Sequence, residues 1–331
     1  MNNSHKNLAN TKKFKIKNKN SKKAFSLVEI SIVILIIGLL IAGISKAGDM
    51  IFDVSLKSAS SLTKGTKVGR MAGLALWLET TTNESILEKE RYDGTEVSIW
   101  RDINPQSSSK FIFKKAGSPK YVEKGQNNIP AIGSLSADNY FLPYTSETST
   151  TVAAYQANQI FSSGALLTIF MVLKPKAIAA DLLSFCPYST GTNLDACTTA
   201  AKYIGLGLTG AGNVVFNTVG GTAAAPVTSA ITSTNSYSLR NLIVVSAIKD
   251  ATDNLKLAVN GVSAAPAVSS TNKLMTSSFS GTFRVGGVLA TDVEIQEIIV
   301  FASALSDADR LVVETYLGKK YNVTMTKTAT L

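Results

Sequence analysis

The sequence contains very little histidine and cysteine. Of its 331 residues, one is histidine and two are cysteines, and the histidine, His5, lies in a lysine-rich N-terminal segment. Zinc sites and Ser-His-Asp triads need histidine or clustered cysteine, so neither is expected. A Gly-x-Ser-x-Gly elbow and a Walker loop are also missing. These absences exclude the commonest hydrolase, zinc-dependent and nucleotide-dependent enzymes, and we predict no catalytic residue, metal site or cofactor.

Acidic residues are absent from the first 24 positions, which contain eight lysines. The whole chain has 33 basic and 23 acidic residues, which gives a formal charge of +10. Without those positions, 25 basic residues face the same 23 acidic ones, so the remainder is almost neutral. A basic surface that attracts a polyanion is therefore not expected, and we predict no nucleic-acid binding.

Residues 25–44 form an apolar run in which only Ser26, Glu29 and Ser31 are clearly polar. As a helix, these 20 residues are long enough to cross a hydrocarbon core of about 30 Å. The lysines on the amino side predict that this end stays in the cytoplasm and that the rest is exported. A glutamate deep in the bilayer costs about 2–3 kcal/mol, and less near the edge, so Glu29 needs a partner of opposite charge.

The sequence around this glutamate, KKAFSLVE at residues 22–29, resembles the class III signal of type IV pilins and of the pseudopilins of type II secretion. The resemblance implies that a prepilin peptidase cleaves between Ala24 and Phe25 and that the new amine of Phe25 is methylated. It also implies that Glu29 pairs with the N-terminal amine of a neighbouring subunit in a filament. Opposite charges attract strongly in a low dielectric, so this pairing would offset the burial penalty of both groups.

Two features depart from the family pattern. Ala24 stands where the family usually has glycine, which predicts slower processing. The helix also lacks the proline often found partway down pilin stems, although Gly38, Gly43 and Gly48 could loosen it similarly.

Two other interpretations of this segment remain open. Ser45-Lys46-Ala47 fits the cleavage site of an ordinary secretory signal peptide, and an uncleaved signal anchor is the second alternative. The whole run is longer than the roughly 7–15 residues of a typical signal-peptide core, although residues 30–44 alone would fit.

The helix is expected to continue beyond the bilayer. Ala47, Ile51, Val54 and Ser58 recur at helical spacing, which predicts a helix to about Leu62 that glycines at 65 or 69 end. The predicted organisation is a leader over residues 1–24, a membrane and stem helix over 25–69, a globular domain over 70–325 and a tail over 326–331.

The globular part reads as many short strands. Apolar runs predict strands at residues 168–173, 242–248, 255–259 and 298–301. Asn260-Gly261 predicts a hairpin turn, because both residues accept positive φ. We interpret the polar segments 145–152 and 220–235 as mobile surface loops.

A C-terminal helix over residues 307–319 is predicted by Ser306 as its N-cap and by Asp309 three positions later. The fold class is therefore α+β: a long N-terminal hydrophobic helix, then a mainly antiparallel β-sandwich of the jelly-roll type, then this short helix.

Four segments resemble bacterial LamG-like (concanavalin A-type) jelly rolls: GLALWLE (73–79), VSIWRDINP (97–105), SPKYVEKGQNNIPAI (118–132) and, most specifically, VEIQEIIVFASALSDADRLVVETYLGKKYNV (293–323). The resemblance covers nearly all of the chain after the stem, and it implies a sandwich that binds a surface glycan or protein. Residues 133–142 depart from the family's usual Phe-Asp-Gly turn, so calcium binding has no support there.

Two kinds of side chain need a choice between roles. Trp77 and Trp100 stand in apolar, alternating contexts, which favours core packing over sugar stacking. Asp292, Glu294 and Glu297 are the nearest candidates for the paired carboxylates of a glycosidase, which flank one bond about 5 Å apart. They lie along an ordinary strand pattern, so we predict a structural role for them.

Cys186 and Cys197 bracket a segment whose proline, glycine and asparagine are typical of a surface loop. If this part is exported, the natural interpretation is a disulfide that closes the loop. Otherwise they are two unpaired cysteines that fill space.

The sequence as a whole predicts a pilin-like, non-enzymatic subunit of a type IV pilus or a type II secretion pseudopilus. The large domain would crowd a helical filament, which favours a minor subunit. The expected topology is a single pass through the inner membrane, with a cytoplasmic N-terminus and the domain in the periplasm or on an extracellular filament. The implied partners are prepilin peptidase, other pilin-like subunits, the inner membrane and a surface glycan or protein ligand. The alternative is an exported or membrane-anchored carbohydrate-binding or carbohydrate-active protein with an ordinary signal sequence.

Overall fold

The computed structural model describes residues 26–108, 110–150, 155–156, 166–177, 180–187, 204–222, 225–251, 254–264, 280–287 and 292–326. The chain divides into two compact units, Met1–Asp49 and Met50–Leu331.

The described part of the first unit is helical. Helix α1 begins at Leu27 and ends at Gly65, as the sequence predicts, and its later turns belong to the second unit. Every side chain that is described between Ser26 and Ile51 is exposed. Within the range Leu27–Arg70, an 18-residue window has a mean hydropathy of 2.9, which is long and apolar enough to span a membrane. Such a surface needs hydrocarbon or other apolar helices around it.

The second unit contains two antiparallel sheets, whose strands are numbered in chain order. The first sheet comprises β1 (Leu74–Glu79), β4 (Lys120–Val122), β5 (Ala131–Gly133), β8 (Leu167–Pro175), β13 (Ile243–Lys249), β14 (Leu255–Val259), β15 (Val262–Ser263) and β17 (Val293–Phe301). The second comprises β2 (Ile99–Arg101), β3 (Ile112–Ala116), β6 (Tyr140–Tyr144), β7 (Tyr155–Gln156), β9 (Ala180–Pro187), β10 (Ile204–Leu208), β11 (Val214–Thr222), β12 (Ala225–Thr232) and β16 (Ser280–Val285). The strand order is β15-β14-β13-β8-β17-β5-β4 with β1 beside β17, and β12-β11-β10-β9-β16-β6-β3-β2 with β7 beside β16.

The main core lies between the sheets. The side chains of β17 alternate between the two faces of the first sheet. Ile298 and Val300 point into the inter-sheet core, whereas Ile299 and Phe301 belong to a second hydrophobic cluster on the opposite face. Trp100 packs edge-on against Phe141 in the inter-sheet core, with ring centroids 5.8 Å apart.

The second cluster covers the outer face of the first sheet. Helix α2 (Asp307–Tyr321) contributes Val313 and Leu317 to it, and α1 contributes Ala59. Trp77 of β1 belongs to the same cluster and is 3% exposed, while Trp100 is fully buried. The prediction that both tryptophans are core residues is confirmed.

Local turn and cap signals are also confirmed. Ser306 caps α2 and accepts a hydrogen bond from the backbone N–H of Asp309. The helix ends two residues later than predicted, at Tyr321, and Asn322 follows in the left-handed conformation with φ 52°. Asn260 and Gly261 join β14 to β15 with φ values of 51° and 76°, as a tight hairpin turn requires.

The prediction of a mobile loop over residues 220–235 is wrong. Strands β11 and β12 pair from Val215 opposite Thr232 to Thr222 opposite Ala225, so most of this segment is a hairpin. Most of its residues are small or hydroxylated, and its two branched aliphatic side chains, Val227 and Ile231, do not give the regular alternation by which strands are recognised. Over residues 145–150 no helix or strand is present, which agrees with the loop expected there.

The buried carboxylate of Asp102 predicts a stability that depends on pH. Its Oδ1 accepts hydrogen bonds from the backbone N–H groups of Trp77 and Asn104, both at 2.9 Å, whereas Oδ2 has no partner among the described residues. Burial is the main reason why the pKa of Asp102 rises to about 6, and the backbone donors oppose the rise. A raised pKa stabilises the fold below the unfolded value near 4, and this contribution is lost as the pH rises through about 6.

We therefore expect Asp102→Asn to become more stable, relative to the native chain, by about 3 kcal/mol between pH 4 and pH 8. Denaturant unfolding of the full chain in detergent, followed by tryptophan fluorescence, measures the difference. Asp138→Asn, at an exposed position, is the control and should leave the pH profile unchanged. A stability difference for Asp102→Asn that is the same at pH 4 and pH 8 would contradict the assignment.

Candidate functional site

The N-terminal motif enters the described structure at Ser26. Ala24 and Phe25, the predicted cleavage and methylation residues, lie outside the described residues, so their roles remain predictions. Glu29 is described and lies in the first turn of α1.

Glu29 forms a cap for its own helix. Its Oε2 accepts a hydrogen bond from the backbone N–H of Ser26 at 2.8 Å, and the hydroxyl of Ser26 accepts one from the backbone N–H of Val28 at 3.3 Å. The two side chains thus satisfy two N–H groups at the start of the helix, as in a capping box. The negative carboxylate also complements the positive end of the helix dipole. In the single chain, Glu29 therefore has a local partner that is neutral rather than cationic.

A group of buried polar side chains lies in the sandwich unit, and we call it the buried charge cluster: Glu79 of β1, Glu297 of β17, and Lys320 of α2, together with the neutral Tyr316 and Tyr321 of α2. Lys320 Nζ lies 3.3 Å from Glu79 Oε2 and 2.7 Å from Glu297 Oε2. The side chains of Lys320 and both glutamates are fully buried. These charges come from three elements that meet at the outer face of the first sheet.

Hydroxyl and N–H groups complete the coordination of both carboxylates. The hydroxyls of Tyr316 and Tyr321 donate to Glu297 at 2.8 and 2.7 Å, and Trp77 Nε1 donates to it at 2.6 Å. Glu79 accepts the backbone N–H and hydroxyl groups of both Thr81 and Thr82, at 2.5–2.7 Å. Each buried carboxylate therefore has several donors, which is the condition under which buried charge is tolerated.

The cluster also reaches α1. The hydroxyl of Tyr316 lies 3.1 Å from the hydroxyl of Thr63, a buried residue two positions before the end of the helix. A second tie holds α2 on the sheet: fully buried Arg310 pairs with Glu314 at 2.7 Å, and Ser246 of β13 donates to Glu314 at 2.8 Å. The ends of α1 and α2 are thus joined to the same sheet.

Burial and neighbouring charge have opposite effects on the pKa of Glu79 and the same effect on the pKa values of the two tyrosines. Burial raises the pKa of Glu79, but Lys320 and the threonine donors outweigh it and hold this pKa below the usual value. Burial, then the charge of Glu297, raises the pKa of Tyr316 and of Tyr321 well above 10. The charged side chains of the cluster are fully buried, so a substrate cannot reach them. The cluster therefore stabilises the packing of α2 on the sheet.

The candidate glycosidase carboxylates are held in ion pairs. Glu297 belongs to the buried charge cluster, and Glu294 is 4% exposed and lies 2.6 Å from Lys174 and 2.7 Å from Lys176. Asp292 lies 3.5 Å from Lys176. An acid and a nucleophile must face one substrate bond, and a carboxylate as enclosed as Glu297 cannot do so.

The remaining predicted residues are described only in part. Cys186 lies near the end of β9, opposite Thr282 of β16, whereas Cys197 lies outside the described residues, so the disulfide remains a prediction. Within the described part of the chain, no group of three or more His, Cys, Asp or Glu side chains is arranged to hold a metal ion.

The sequence interpretation did not identify the buried charge cluster. Its local signal is the pair Tyr316 and Lys320, four residues apart and hence on one helix face. Their carboxylate partners, however, lie 23 and 241 residues from Lys320, and no short-range pattern connects them.

Residues 19–45 match the family described as the prokaryotic N-terminal methylation motif. The matched segment includes Ala24, Phe25 and Glu29, so the chain has a prepilin-type N-terminus followed by an apolar helix and a β-sandwich. This motif supports a pilin-like role and a single-pass membrane anchor. No curated protein matches the chain.

Solved structures similar to this chain are distant. They include Trypanosoma rangeli sialidase in complex with 2,3-difluorosialic acid (14% identity, TM-score 0.49, covering 81% of this chain and 38% of that chain). Another is the receptor-binding domain of botulinum neurotoxin C/D mosaic serotype (11% identity, TM-score 0.48, covering 73% of this chain and 51% of that chain). A third is the binding domain of Paraclostridial Mosquitocidal Protein 1 (11% identity, TM-score 0.47, covering 75% of this chain and 52% of that chain). This chain spans about half of these chains or less, and similarities of this size give no information about ligand or activity.

Removing the cation of the buried charge cluster should destabilise the domain strongly. Lys320→Met leaves Glu79 and Glu297 buried without their cation, and we expect a loss of about 3–5 kcal/mol at pH 7. Because the pKa of Glu79 is lowered in the fold, its contribution is present at neutral pH and is lost as the pH falls. The difference in the free energy of unfolding between Lys320→Met and the native chain should therefore be smaller at acidic pH.

Lys319→Met is the matched control, because Lys319 is the exposed neighbour on the same helix. Denaturant unfolding at pH 7 and pH 4 makes the comparison. A loss for Lys320→Met no larger than for Lys319→Met would show that the cluster does not hold the elements together.

Proposed function

We propose that this chain is a pilin-like subunit, inserted in the inner membrane through α1 and assembled into a type IV pilus or a type II secretion pseudopilus. The observation that supports this most directly is the match of residues 19–45 to the N-terminal methylation motif, with Glu29 in the first turn of an exposed apolar helix. In this proposal prepilin peptidase hydrolyses the bond between Ala24 and Phe25, and the amine released on Phe25 is methylated.

Glu29 then acts as the assembly carboxylate. Before assembly it accepts the backbone N–H of Ser26, a neutral donor. In the filament, the charged amine of a neighbouring subunit's Phe25 replaces or joins that donor, and the pair excludes water in a low-dielectric bundle of stems. Assembly is favoured because a charge-assisted pair forms where the single chain has only a neutral hydrogen bond.

The sandwich is the part displayed outside the membrane, on a periplasmic or extracellular assembly. Phe52, Ala59 and Thr63 are buried side chains of α1 within the sandwich unit, so the last turns of the stem are part of the domain's own fold. A domain of this size would crowd a filament made only of such subunits, which favours a minor subunit. We assign it the binding of a surface glycan or protein.

The mature N-terminus tests the proposal directly. Mass spectrometry of the chain from membranes and from sheared surface material should find an N-methylated Phe25 as the first residue. Deletion of the host's prepilin peptidase is the control and should leave the leader attached. A chain that begins at Gly48 would instead establish an ordinary signal peptide and an exported carbohydrate-binding or carbohydrate-active protein.

The charge of Glu29 should be needed for assembly but not for insertion. Glu29→Gln keeps an oxygen that can cap the helix but has no negative charge, whereas Glu29→Val removes both functions. We expect both variants to insert and be processed, and both to be missing from sheared filaments, with at least a tenfold loss against the membrane pool.

Asp53→Asn removes an exposed carboxylate from the same helix, so it is the matched control and should assemble normally. Immunoblots of sheared and membrane fractions give the ratio. Normal incorporation of Glu29→Gln would show that the charge has no role in assembly.

A further inference from the structure

The second unit contains a cavity of about 510 Å³ that no side chain of the buried charge cluster lines. Its walls come from the segment between β12 and β13, the start of β13, the turn between β14 and β15, the residues after α2, and the turn before β5. Small-molecule sites have volumes of roughly 300–1,000 Å³, so the cavity is large enough for one.

The lining of this cavity has no charged side chain, although 17% of the whole sequence is charged. The 17 residues that line it include five asparagines, one glutamine, three serines and two threonines, together with five aliphatic residues and one tyrosine. A second cavity, of about 610 Å³, differs sharply, because Lys57, Lys64, Glu88, Arg91 and Glu123 all line it. The first cavity therefore offers no counter-charge to an ionic ligand.

The polar groups fall into two sets. Asn260 and Asn127 hold the walls: Asn260 Oδ1 accepts the backbone N–H of Val244 at 2.8 Å, and Asn127 Nδ2 donates to the backbone carbonyl of Tyr321. The side-chain amides of Asn235, Asn241 and Asn322 make no hydrogen bond to another described residue. A ligand would thus find walls that are already held by hydrogen bonds, which limits the entropy lost on binding, and exposed amides available as partners.

Tyr237 belongs to the wall of the cavity. It is 8% exposed, it packs in the inter-sheet core, and its hydroxyl is buried. The polar groups that a ligand can reach are therefore those of the exposed lining residues, among them Asn235, Asn241 and Asn322.

These groups match one ligand chemistry. Amides donate and accept at once, as adjacent hydroxyls of a sugar require, while Leu242, Val259 and Val262 offer apolar surface to the C–H faces of a sugar ring. An anionic sugar would lack a counter-charge here. We propose that this cavity binds a neutral saccharide, with Asn241 and Asn322 among its hydrogen-bonding residues. The site gives the ligand class for the displayed domain and rests on the proposed function only for its biological role.

Binding is tested on the full chain in an amine-oxide detergent, because maltoside or glucoside detergents would present sugars themselves. Titration calorimetry and saturation-transfer NMR are made with maltohexaose, cellohexaose, mannohexaose and lactose as neutral probes and with sialyllactose as the anionic probe. At least one neutral probe should bind, and sialyllactose should bind no better than lactose. Binding of sialyllactose alone, or of none of the probes, would overturn the proposal, and so would binding that a neutral Ser/Thr-rich peptide equals.

Variants place the sugar in the cavity. Asn241→Leu and Ser236→Trp, at exposed lining positions, should weaken the affinity about tenfold or more by loss of an amide and by obstruction. Asn83→Leu makes the same change at an exposed residue of the second cavity and should leave the affinity unchanged. Equal losses in Asn83→Leu and Asn241→Leu would overturn the assignment, as would full binding by Ser236→Trp.

Tyr237→Phe is a control in the wall of the cavity. Its hydroxyl is buried and has no partner among the described residues, so the melting temperature of the variant should stay the same or rise and the affinity should be unchanged. A loss of affinity of about tenfold in this variant would overturn the assignment of the sugar to the exposed amides. Because this assay needs neither processing nor assembly, its failure is distinguishable from the presence or absence of N-methylated Phe25.

Discussion

The sandwich unit depends on one buried cation between two buried carboxylates. Lys320 contacts Glu79 and Glu297, and so it joins the C-terminal helix to the first and last strands of the domain. Such a group is stable only when every charge has its partner, because a single loss leaves an ion in a low dielectric. This requirement fixes where α2 lies, and the contact between Tyr316 and Thr63 extends the constraint to the end of α1.

Glu29 in the apolar helix is subject to the same requirement that a charge removed from water has a partner. Glu29 is the single acidic residue in the apolar run, and the cap on Ser26 gives it a partner while the chain is alone. The backbone N–H of Ser26 is a neutral donor, so its hydrogen bond leaves the negative charge of Glu29 uncompensated. A cationic amine in the right place is therefore preferred over further neutral contacts. In the proposed filament, this glutamate would distinguish a correct neighbour from any other apolar helix.

Features that depend on residues close together in the chain could be predicted from the sequence. The leader and apolar run, the cap at Ser306 and the turn at Asn260-Gly261 depend on neighbours a few positions away, and each is readable as a pattern. The β11–β12 hairpin was missed because its distal half, from Gly220 onward, consists mostly of small and hydroxylated residues without regular apolar alternation, so the pairing of the strands defines it there. The cavity proposed as a saccharide site was missed for a related reason: its walls come from five separate segments, and each alone is an ordinary polar turn.

The pairing of β1 with β17 also sets the order of events during synthesis. Among the described residues, the strand that pairs with residues 74–79 is residues 293–301, and Glu79 meets Lys320 across 241 residues. At roughly 5–20 residues per second, the ribosome needs about ten to fifty seconds to make that stretch. Throughout this time the first sheet cannot close, since its last strand does not yet exist. If the domain is exported as proposed, a first sheet that is still open would let the chain pass through a translocation channel before its last strand pairs.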